Sequence, residues 1–248
     1  MNINAGDIDI TTEDNPEGDI GTFTPNLMTF GVSYAKMFSN SISGGITLKG
    51  VSESISNVKA SGVALDMGVK YVTGENDKVK FGIALRNVGP KMKYEGDGLT
   101  EKVTVNGGDY SMEQRSESFE LPSLLNIGVS YDFYLGASSD STGNTLPLHR
   151  VTAAGNFTSN SFGKDQLRGG LEYGFKNMFM ARFGYVYEQG LNDANSLTTF
   201  NLGPTAGVTL EVPISGSGST FGFDYAYRMA SAQGFSHPSH AIGIRINL

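Results

Sequence analysis

Two histidines near the end of the chain, His237 and His240, have the spacing of a candidate metal-binding pair. They flank Pro238, and no carboxylate stands close to them in the sequence. A zinc site takes three or four protein ligands, often cysteines, and the chain contains no cysteine. The pair is therefore interpreted as part of a solvated loop, and no metal and no cofactor are expected.

An acidic stretch near the beginning of the chain, TTEDNPEGD, groups four carboxylates: Glu13, Asp14, Glu17 and Asp19. It lacks the alternating acidic positions and the distal glutamate of a calcium loop, so a solvated turn around Asn15 is favoured. No G-x-S-x-G turn presents a serine nucleophile. We expect no enzymatic activity, and a Ser-His-Asp constellation assembled from facing strands is the alternative.

Nine charged residues stand between rows of apolar residues, and their sequence neighbours two positions away are mostly small. They are Asp66, Lys70, Arg86, Arg168, Glu172, Arg182, Asp224, Arg228 and Arg245. Small residues mixed with charges of both signs suit a crowded polar lumen, in which arginines and carboxylates can pair. We predict such a structural role for these charges, with Asp224 and Arg228 as pairing groups. A path for a ligand is the alternative.

Alternating strands must position these charges. The segment TFGFDYAYRMA places four aromatic rings on one face and Asp224 and Arg228 on the other. About eleven segments of roughly 10 to 13 residues follow this period of two, and none keeps the spacing of an amphipathic helix. Ordinary strands have about 5 or 6 residues, whereas a tilted membrane-spanning strand needs about 9 to 11.

The side of each strand opposite the apolar row carries Gly, Ala, Ser and paired charges, whereas the water-facing side of a soluble sandwich is richer in Lys, Glu and Thr. We therefore predict an all-β fold, an antiparallel transmembrane β-barrel with about 11 to 12 strands of a probable 14. It would form a single outer-membrane barrel domain over residues 1–248. Two whole strands and part of a third are expected to precede Met1.

Composition excludes several other classes of protein. The formal net charge of the 248 residues is −7, and no run of Lys and Arg occurs, so nucleic acid is not an expected partner. No stretch of roughly 18 consecutive apolar residues occurs, and the mean hydropathy is −0.18, so membrane-spanning helices are not predicted. The first residues, MNINAGDIDITTEDNPEGD, have no pattern of a signal peptide.

The connections between the predicted strands are short on one side and longer on the other, as in bacterial outer-membrane barrels. Periplasmic turns are predicted at 38–41, 74–77, 135–146, 176–177 and 214–218, and of these 135–146 alone is long. Longer extracellular loops are predicted at 11–26, 54–61, 89–118, 158–164, 188–200 and 230–238.

The longest connection, 89–118, is the candidate extracellular binding loop, because long loops without structure of their own are commonly functional. Its candidate binding residues are Lys91, Lys93, Tyr94, Glu95, Asp97 and Tyr110. The alternative is a hairpin above the membrane, in which KVTV pairs with DYSMEQ.

Several stretches resemble the PorV/PorQ family of outer-membrane proteins. They include ALDMGVKYVTG, GIALRNVGPKMKYEGDG, LPSLLNIGVSYDF and the closing FGFDYAYRMA and SHAIGIRINL, and RNVGPKMKY is the most distinctive of them. The resemblance implies a fourteen-stranded barrel related to the FadL fatty-acid transporters, located in the bacterial outer membrane.

The resemblance also implies a role in type IX protein secretion, with outer-membrane lipid, the type IX translocon and secreted cargo proteins as partners. The alternative function is a FadL-like channel for hydrophobic small molecules. The mostly small and polar residues of the predicted inward faces weigh against that channel.

Overall fold

The computed structural model describes residues 2–4, 6–12, 15–139, 145–176, 178–189, 202–214, 219–232 and 235–247. Within these ranges the chain is all-β, with two single-turn 3₁₀ helices at Glu75–Asp77 and Asp97–Leu99. None of the helices found in the described residues is long and apolar enough to cross a membrane.

Eleven long strands make up most of the fold, in agreement with the number expected from the alternation. They have 10 to 16 residues and are β4 (Asn26–Met37), β5 (Ile42–Ile55), β6 (Val58–Thr73), β7 (Val79–Val88), β11 (Leu124–Ser139), β12 (Thr145–Asn160), β13 (Gln166–Phe175), β14 (Phe179–Glu188), β15 (Gly203–Pro213), β16 (Thr220–Ala232) and β17 (Phe235–Asn247).

Six short strands complete the described secondary structure. They are β1 (Asn2–Asn4), β2 (Ile8–Asp9), β3 (Thr22–Phe23), β8 (Tyr94–Glu95), β9 (Thr100–Val105) and β10 (Gly108–Glu113). The largest sheet has thirteen strands, in the order β1-β4-β5-β6-β7-β11-β12-β13-β14-β15-β16-β17, with β8 paired to β6. The strands β9 and β10 form a separate hairpin, and β2 pairs with β3. The described pairings are antiparallel, as expected for strands joined by hairpins.

Contacts between Cα atoms divide the chain into two compact units. Unit 1 comprises Met1–Lys36, Gly45–Met67 and Leu85–Ser123, and unit 2 comprises Met37–Gly44, Gly68–Ala84 and Leu124–Leu248. The single domain predicted for residues 1–248 stays a prediction.

Burial in this fold is inverted relative to a water-soluble domain. The large apolar side chains of the strands are exposed: Phe30 in β4 is 68% exposed and Ile242 in β17 is 71% exposed. The buried side chains of the described strands are largely polar, including Asp132 at 1% and Glu188 at 0%. We name the side with large apolar residues the apolar face and the side with small and charged residues the polar face.

Three predicted connections are shorter in the structure because the strands continue through them. Strand β5 ends at Ile55 and β6 begins at Val58, so the loop predicted at 54–61 shrinks to a tight turn. Pairing of β16 with β17 continues as far as Ala232 and Phe235, within the predicted loop 230–238. Pairing of β11 with β12 likewise reaches Ser139 and Thr145. Strand pairing depends on backbone hydrogen bonds, and these continue beyond the residues in which apolar and polar side chains alternate.

Candidate functional site

An ion-pair cluster on the polar face of unit 1 is centred on Asp66 of β6. Lys49 Nζ lies 2.7 Å from Asp66 Oδ1, and Arg86 Nε lies 3.7 Å from Asp66 Oδ2. The backbone N–H of Asn87 also donates to Asp66 Oδ1, at 2.8 Å. The Lys49 and Asp66 side chains are only 13% and 20% exposed, so this pair is less screened by water than a surface pair.

Asn87 connects the Asp66 cluster to the far end of the long connection. Its φ of 60° is unusual for a residue other than glycine, and it lies one residue before the end of β7. Its side-chain oxygen accepts a hydrogen bond from Lys49 Nζ, and its side-chain N–H donates to the carbonyl of Pro122 at 2.9 Å. The cluster therefore ties together the two ends of the connection between β7 and β11.

Residues 89–99, which we name the folded-back segment, lie against β6 within unit 1. Tyr94 and Glu95 of this segment pair with Ala60 and Lys59 of β6, and the Gly98 N–H donates to the Asn57 carbonyl at 3.3 Å. The beginning of the predicted loop therefore returns to the sheet instead of extending away from it.

Met92 anchors the folded-back segment on a row of small residues. Its side chain is 2% exposed and approaches Gly62, where an added Cβ would lie 2.6 Å from Met92 Cγ. Ala60 and Ala64, the neighbours of Gly62 on the same face of β6, are also buried. Met92 exchanges two backbone hydrogen bonds with Phe119, of 2.7 and 2.8 Å. The small residues of β6 thus provide the space that this segment occupies.

Tyr94 has an environment of its own within unit 1. Its ring stacks on Phe119, with centroids 5.2 Å apart and an interplanar angle of 24°. Burial, together with a hydrogen bond to the Glu53 carboxylate and the charge of that carboxylate, raises the pKa of the Tyr94 phenol above its usual value. Tyr94 is the predicted loop residue that the structure incorporates most fully into the folded-back segment.

The other predicted loop residues are dispersed. Lys91 forms an exposed ion pair with Glu120 at 3.3 Å, and Glu95 lies in β8. Neither Lys93 nor Asp97 forms an ion pair with any residue that the structure describes. Tyr110 lies opposite Val103 in the β9–β10 hairpin, so the pairing of KVTV with DYSMEQ is confirmed. A role of the predicted loop residues in binding a partner stays a prediction.

A larger network occupies the polar face of unit 2, around Glu172 of β13. Arg150 Nη2 and Arg182 Nε each lie 2.5 Å from a different oxygen of the Glu172 carboxylate. Arg182 also donates to Thr209 Oγ1 at 2.6 Å, and that hydroxyl donates to Asp224 Oδ1 at 2.5 Å. The chain of contacts crosses the strands from β12 to β16.

The network ends at Arg245 of β17, which lies 3.6 Å from Glu211 and 3.9 Å from Asp224. Asp224 is therefore paired, as predicted, whereas Arg228, the other predicted pairing group, forms no ion pair with any residue that the structure describes. Residues four apart on one strand are separated by about 13 Å, whereas residues facing each other on neighbouring strands are about 5 Å apart. Asp224 accordingly finds its partners across the sheet.

Asp132 of β11 centres a second ion pair on the polar face of unit 2. Lys80 of β7 pairs with its Oδ2, the Thr152 hydroxyl donates to its Oδ1 at 2.6 Å, and the Tyr134 hydroxyl donates to its Oδ2 at 3.3 Å. The carboxylate is almost completely buried and has three donors, as a buried charge requires.

The remaining predicted charges are placed as follows. Arg168 donates to Gln166 at 2.7 Å, and Gln166 donates to Glu188 at 3.2 Å. Lys70 and Arg228 are exposed, and neither has an ion-pair partner among the described residues. Of the nine predicted charges, the structure thus joins Glu172, Arg182, Asp224 and Arg245 in one network and Asp66 with Arg86 in another.

Several members of these networks are not among the nine predicted charges, namely Lys49, Lys80, Asp132, Arg150, Glu188 and Glu211. All of them follow the same period-two alternation as the predicted charges. Applying that one criterion to every long strand would have found them.

The histidines do not form a cluster in the described part of the chain. The Nδ1 atoms of His149 and His240 lie 2.7 and 2.8 Å from the hydroxyls of Tyr173 and Tyr225. The side chain of His237 lies outside the described residues, as do Glu13 and Asp14 of the acidic stretch. Asn15 forms the predicted turn, because its side-chain N–H donates to the Gly18 carbonyl at 2.8 Å. No group of three or more potential metal ligands occurs among the described residues.

Comparison of the chain with protein-family models and with curated proteins finds no match in either.

Proposed function

We propose that the protein is a non-enzymatic β-barrel of the bacterial outer membrane. The observation that supports this proposal is the inverted burial of its strands. Phe30, Val32 and Tyr34 of β4 are exposed in series, as are Ile242, Ile244 and Ile246 of β17. Exposed apolar surface costs about 25 cal/mol per Å² in water, and a bilayer removes that cost. The strands of 10 to 16 residues are long enough to span its hydrocarbon core.

The polar face then lines the lumen of the barrel, and its contacts bear on what the lumen can pass. Ion pairs of unit 2 centred on Glu172 and Asp132 connect neighbouring strands. In unit 1, the folded-back segment covers small residues of the polar face. A lumen lined by small and paired charged side chains weighs against passage of hydrophobic small molecules.

The partners that we propose are translocon components or secreted cargo of type IX secretion. This part of the proposal rests on the resemblance to PorV/PorQ proteins, and the β9–β10 hairpin and the folded-back segment offer a structured surface for such contacts. A FadL-like channel for hydrophobic molecules is the competing function.

Membrane insertion can be tested by labelling, because the chain contains no natural cysteine. Val32→Cys and Ser33→Cys lie next to each other on opposite faces of β4. In the membrane fraction, we expect the thiol of the Val32→Cys variant to react with a lipid-soluble maleimide and not with a charged methanethiosulfonate. We expect the opposite for the Ser33→Cys variant. Equal reaction of both variants with the charged reagent would contradict the barrel.

The secretion role requires a separate experiment. Affinity purification from native membranes is expected to recover the protein with a large translocon or with secreted cargo, and deletion of the gene is expected to impair secretion. A lone barrel with secretion intact after deletion would refute this role. Impaired growth on hydrophobic substrates would support the channel instead.

A further inference from the structure

A cavity of about 460 Å³ opens on the polar face of β13 to β16, within unit 2. Three arginines and one carboxylate contribute the charges of its lining: Arg168, Arg182, Arg228 and Asp224. The formal charge of these four groups is therefore +2. The lining is thus net positive in a chain whose formal net charge is −7, although Arg182 also pairs with Glu172 beside the cavity.

The strand register explains why the cavity exists. Gly184 of β14 lies opposite Gly170 of β13 on one side and Thr205 of β15 on the other, and Thr205 lies opposite Arg228 of β16. The floor between the arginines therefore consists of very small residues. A Cβ added at Gly184 would lie 2.8 Å from Thr205 Oγ1, so even one methyl group would crowd this floor.

The same register places the three arginines around Gly184, on three different strands. Arg168 and Arg182 lie two residues from Gly170 and Gly184 on their own strands, which is about 7 Å along each strand. Arg228 lies two strands from Gly184, or about 10 Å across the sheet. The guanidinium of Arg168 is directed to Gln166, and that of Arg182 to Glu172, Thr209 and Met180. Arg228 is therefore the arginine best placed to contact a ligand above Thr205.

The arginines differ in how far the protein already uses them. Arg182 donates from Nε to Glu172, from Nη1 to Thr209 and from Nη2 to Met180 Sδ, which fixes its position. Arg228 is exposed and forms no ion pair with any described residue. Asp224, the carboxylate of the lining, interacts with Thr209 and Arg245.

We propose that this cavity binds a small oxyanion, a phosphate or carboxylate group, with Arg228 as its main ligand. The planar guanidinium presents parallel N–H donors that match two oxygens of such a group, and this match makes arginine the preferred residue for phosphate and carboxylate recognition. Arg182 and Arg168 lie on neighbouring strands of the same lining, and the small residues Gly207 and Ala226 beside Arg228 leave room for the anion. This site goes beyond the proposed membrane and secretion role, which does not require it.

The test is titration calorimetry of the full chain in uncharged detergent, with inorganic phosphate and acetate as the two probes. We expect saturable binding of at least one of them. Binding of phosphate alone would assign the site to phosphate groups, and binding of acetate alone would assign it to carboxylates. Arg228→Gln is expected to weaken binding about tenfold or more, as loss of a charged hydrogen-bond donor does. Arg228→Lys keeps the positive charge but lacks the parallel N–H donors of a guanidinium. Its affinity should therefore lie between those of Arg228→Gln and the unmodified chain.

Arg115→Gln is the matched control, because Arg115 is an exposed arginine of unit 1 outside the cavity lining. It should leave the affinity unchanged. Absence of saturable binding, unchanged affinity in Arg228→Gln, or an equal loss in Arg115→Gln would each overturn the proposal. Thermal unfolding of each variant verifies that it is folded. If Arg228→Gln does not fold, the affinity of Arg228→Lys tests the proposal, and an unchanged affinity in that variant would overturn it. The cysteine labelling of β4 does not depend on this result.

Discussion

Met92 and Gly62 are in direct contact: the position that a Cβ would take at Gly62 lies 2.6 Å from Met92 Cγ and 3.0 Å from its Sδ. The absence of a side chain at one position of β6 is therefore what allows the folded-back segment to pack on the sheet. This contact makes a prediction about stability.

Gly62→Ala is expected to destabilise the protein by about 1–3 kcal/mol, because the added methyl group must displace a buried Met92. Gly50→Ala in β5 is the matched control, since an added Cβ there meets nothing within 4 Å. Denaturant unfolding in detergent would measure both. Met92→Ala should remove most of the difference between the two glycine variants, and an undiminished difference would show that Met92 is not the obstacle.

Asp66→Asn is expected to cost about 1–3 kcal/mol, because Lys49, Arg86 and the Asn87 N–H lose a charged acceptor at a mostly buried position. Glu120→Gln should cost less than about 1 kcal/mol, since its ion pair with Lys91 is exposed. The comparison uses the same unfolding measurement. Equal effects of the two substitutions would contradict the burial that distinguishes them.

Glu172 and Arg182 should show coupled effects in a double-mutant cycle. Glu172→Gln leaves the guanidinium groups of Arg150 and Arg182 beside an uncharged amide. We therefore expect Glu172→Gln and Arg182→Gln together to be less destabilising than the sum of the single variants, by about 0.5–3 kcal/mol. Additive effects would mean that the two side chains do not interact in solution.

Tyr94 should ionise above the usual tyrosine pKa of 10, because burial and the Glu53 carboxylate disfavour the phenolate. Because the folded state holds this proton more tightly than the unfolded state, Tyr94 contributes to the free energy of unfolding at high pH. This contribution is fully present below the unfolded-state pKa of 10 and is lost as the pH rises through the folded-state pKa. Tyrosinate absorbance, compared between the unmodified chain and Tyr94→Phe, measures this step. A difference curve centred at or below the usual value would contradict the environment described for Tyr94.

The expectations that succeeded were those based on local periodicity. Alternation of apolar and small or charged residues gave eleven long strands, and KVTV paired with DYSMEQ as the hairpin alternative required. Successive side chains of a strand point to opposite faces of the sheet, whichever strands lie beside it. The face on which Asp224 or Glu172 lies can therefore be predicted from the sequence.

The pairing of charges could not be predicted in this way. The alternation placed Asp224 on the charged face without indicating its partners, and the register of β15, β16 and β17 supplies Thr209 and Arg245. Lys49, 17 positions before Asp66, became its partner for the same kind of reason. Register depends on turn geometry and on all the strands together, which one strand's sequence does not contain.

The sequence by itself determined the strands, their two faces and the set of charges available for pairing, because each of these follows from a repeat of two residues. Only the tertiary structure decided that Met92 fills the space above Gly62, that Glu172 holds two arginines, and that Arg228 remains at the rim of a cavity without an ion-pair partner among the described residues. These relationships join residues far apart in the chain, and they arise when strand register and the small residues of the sheet bring those side chains together.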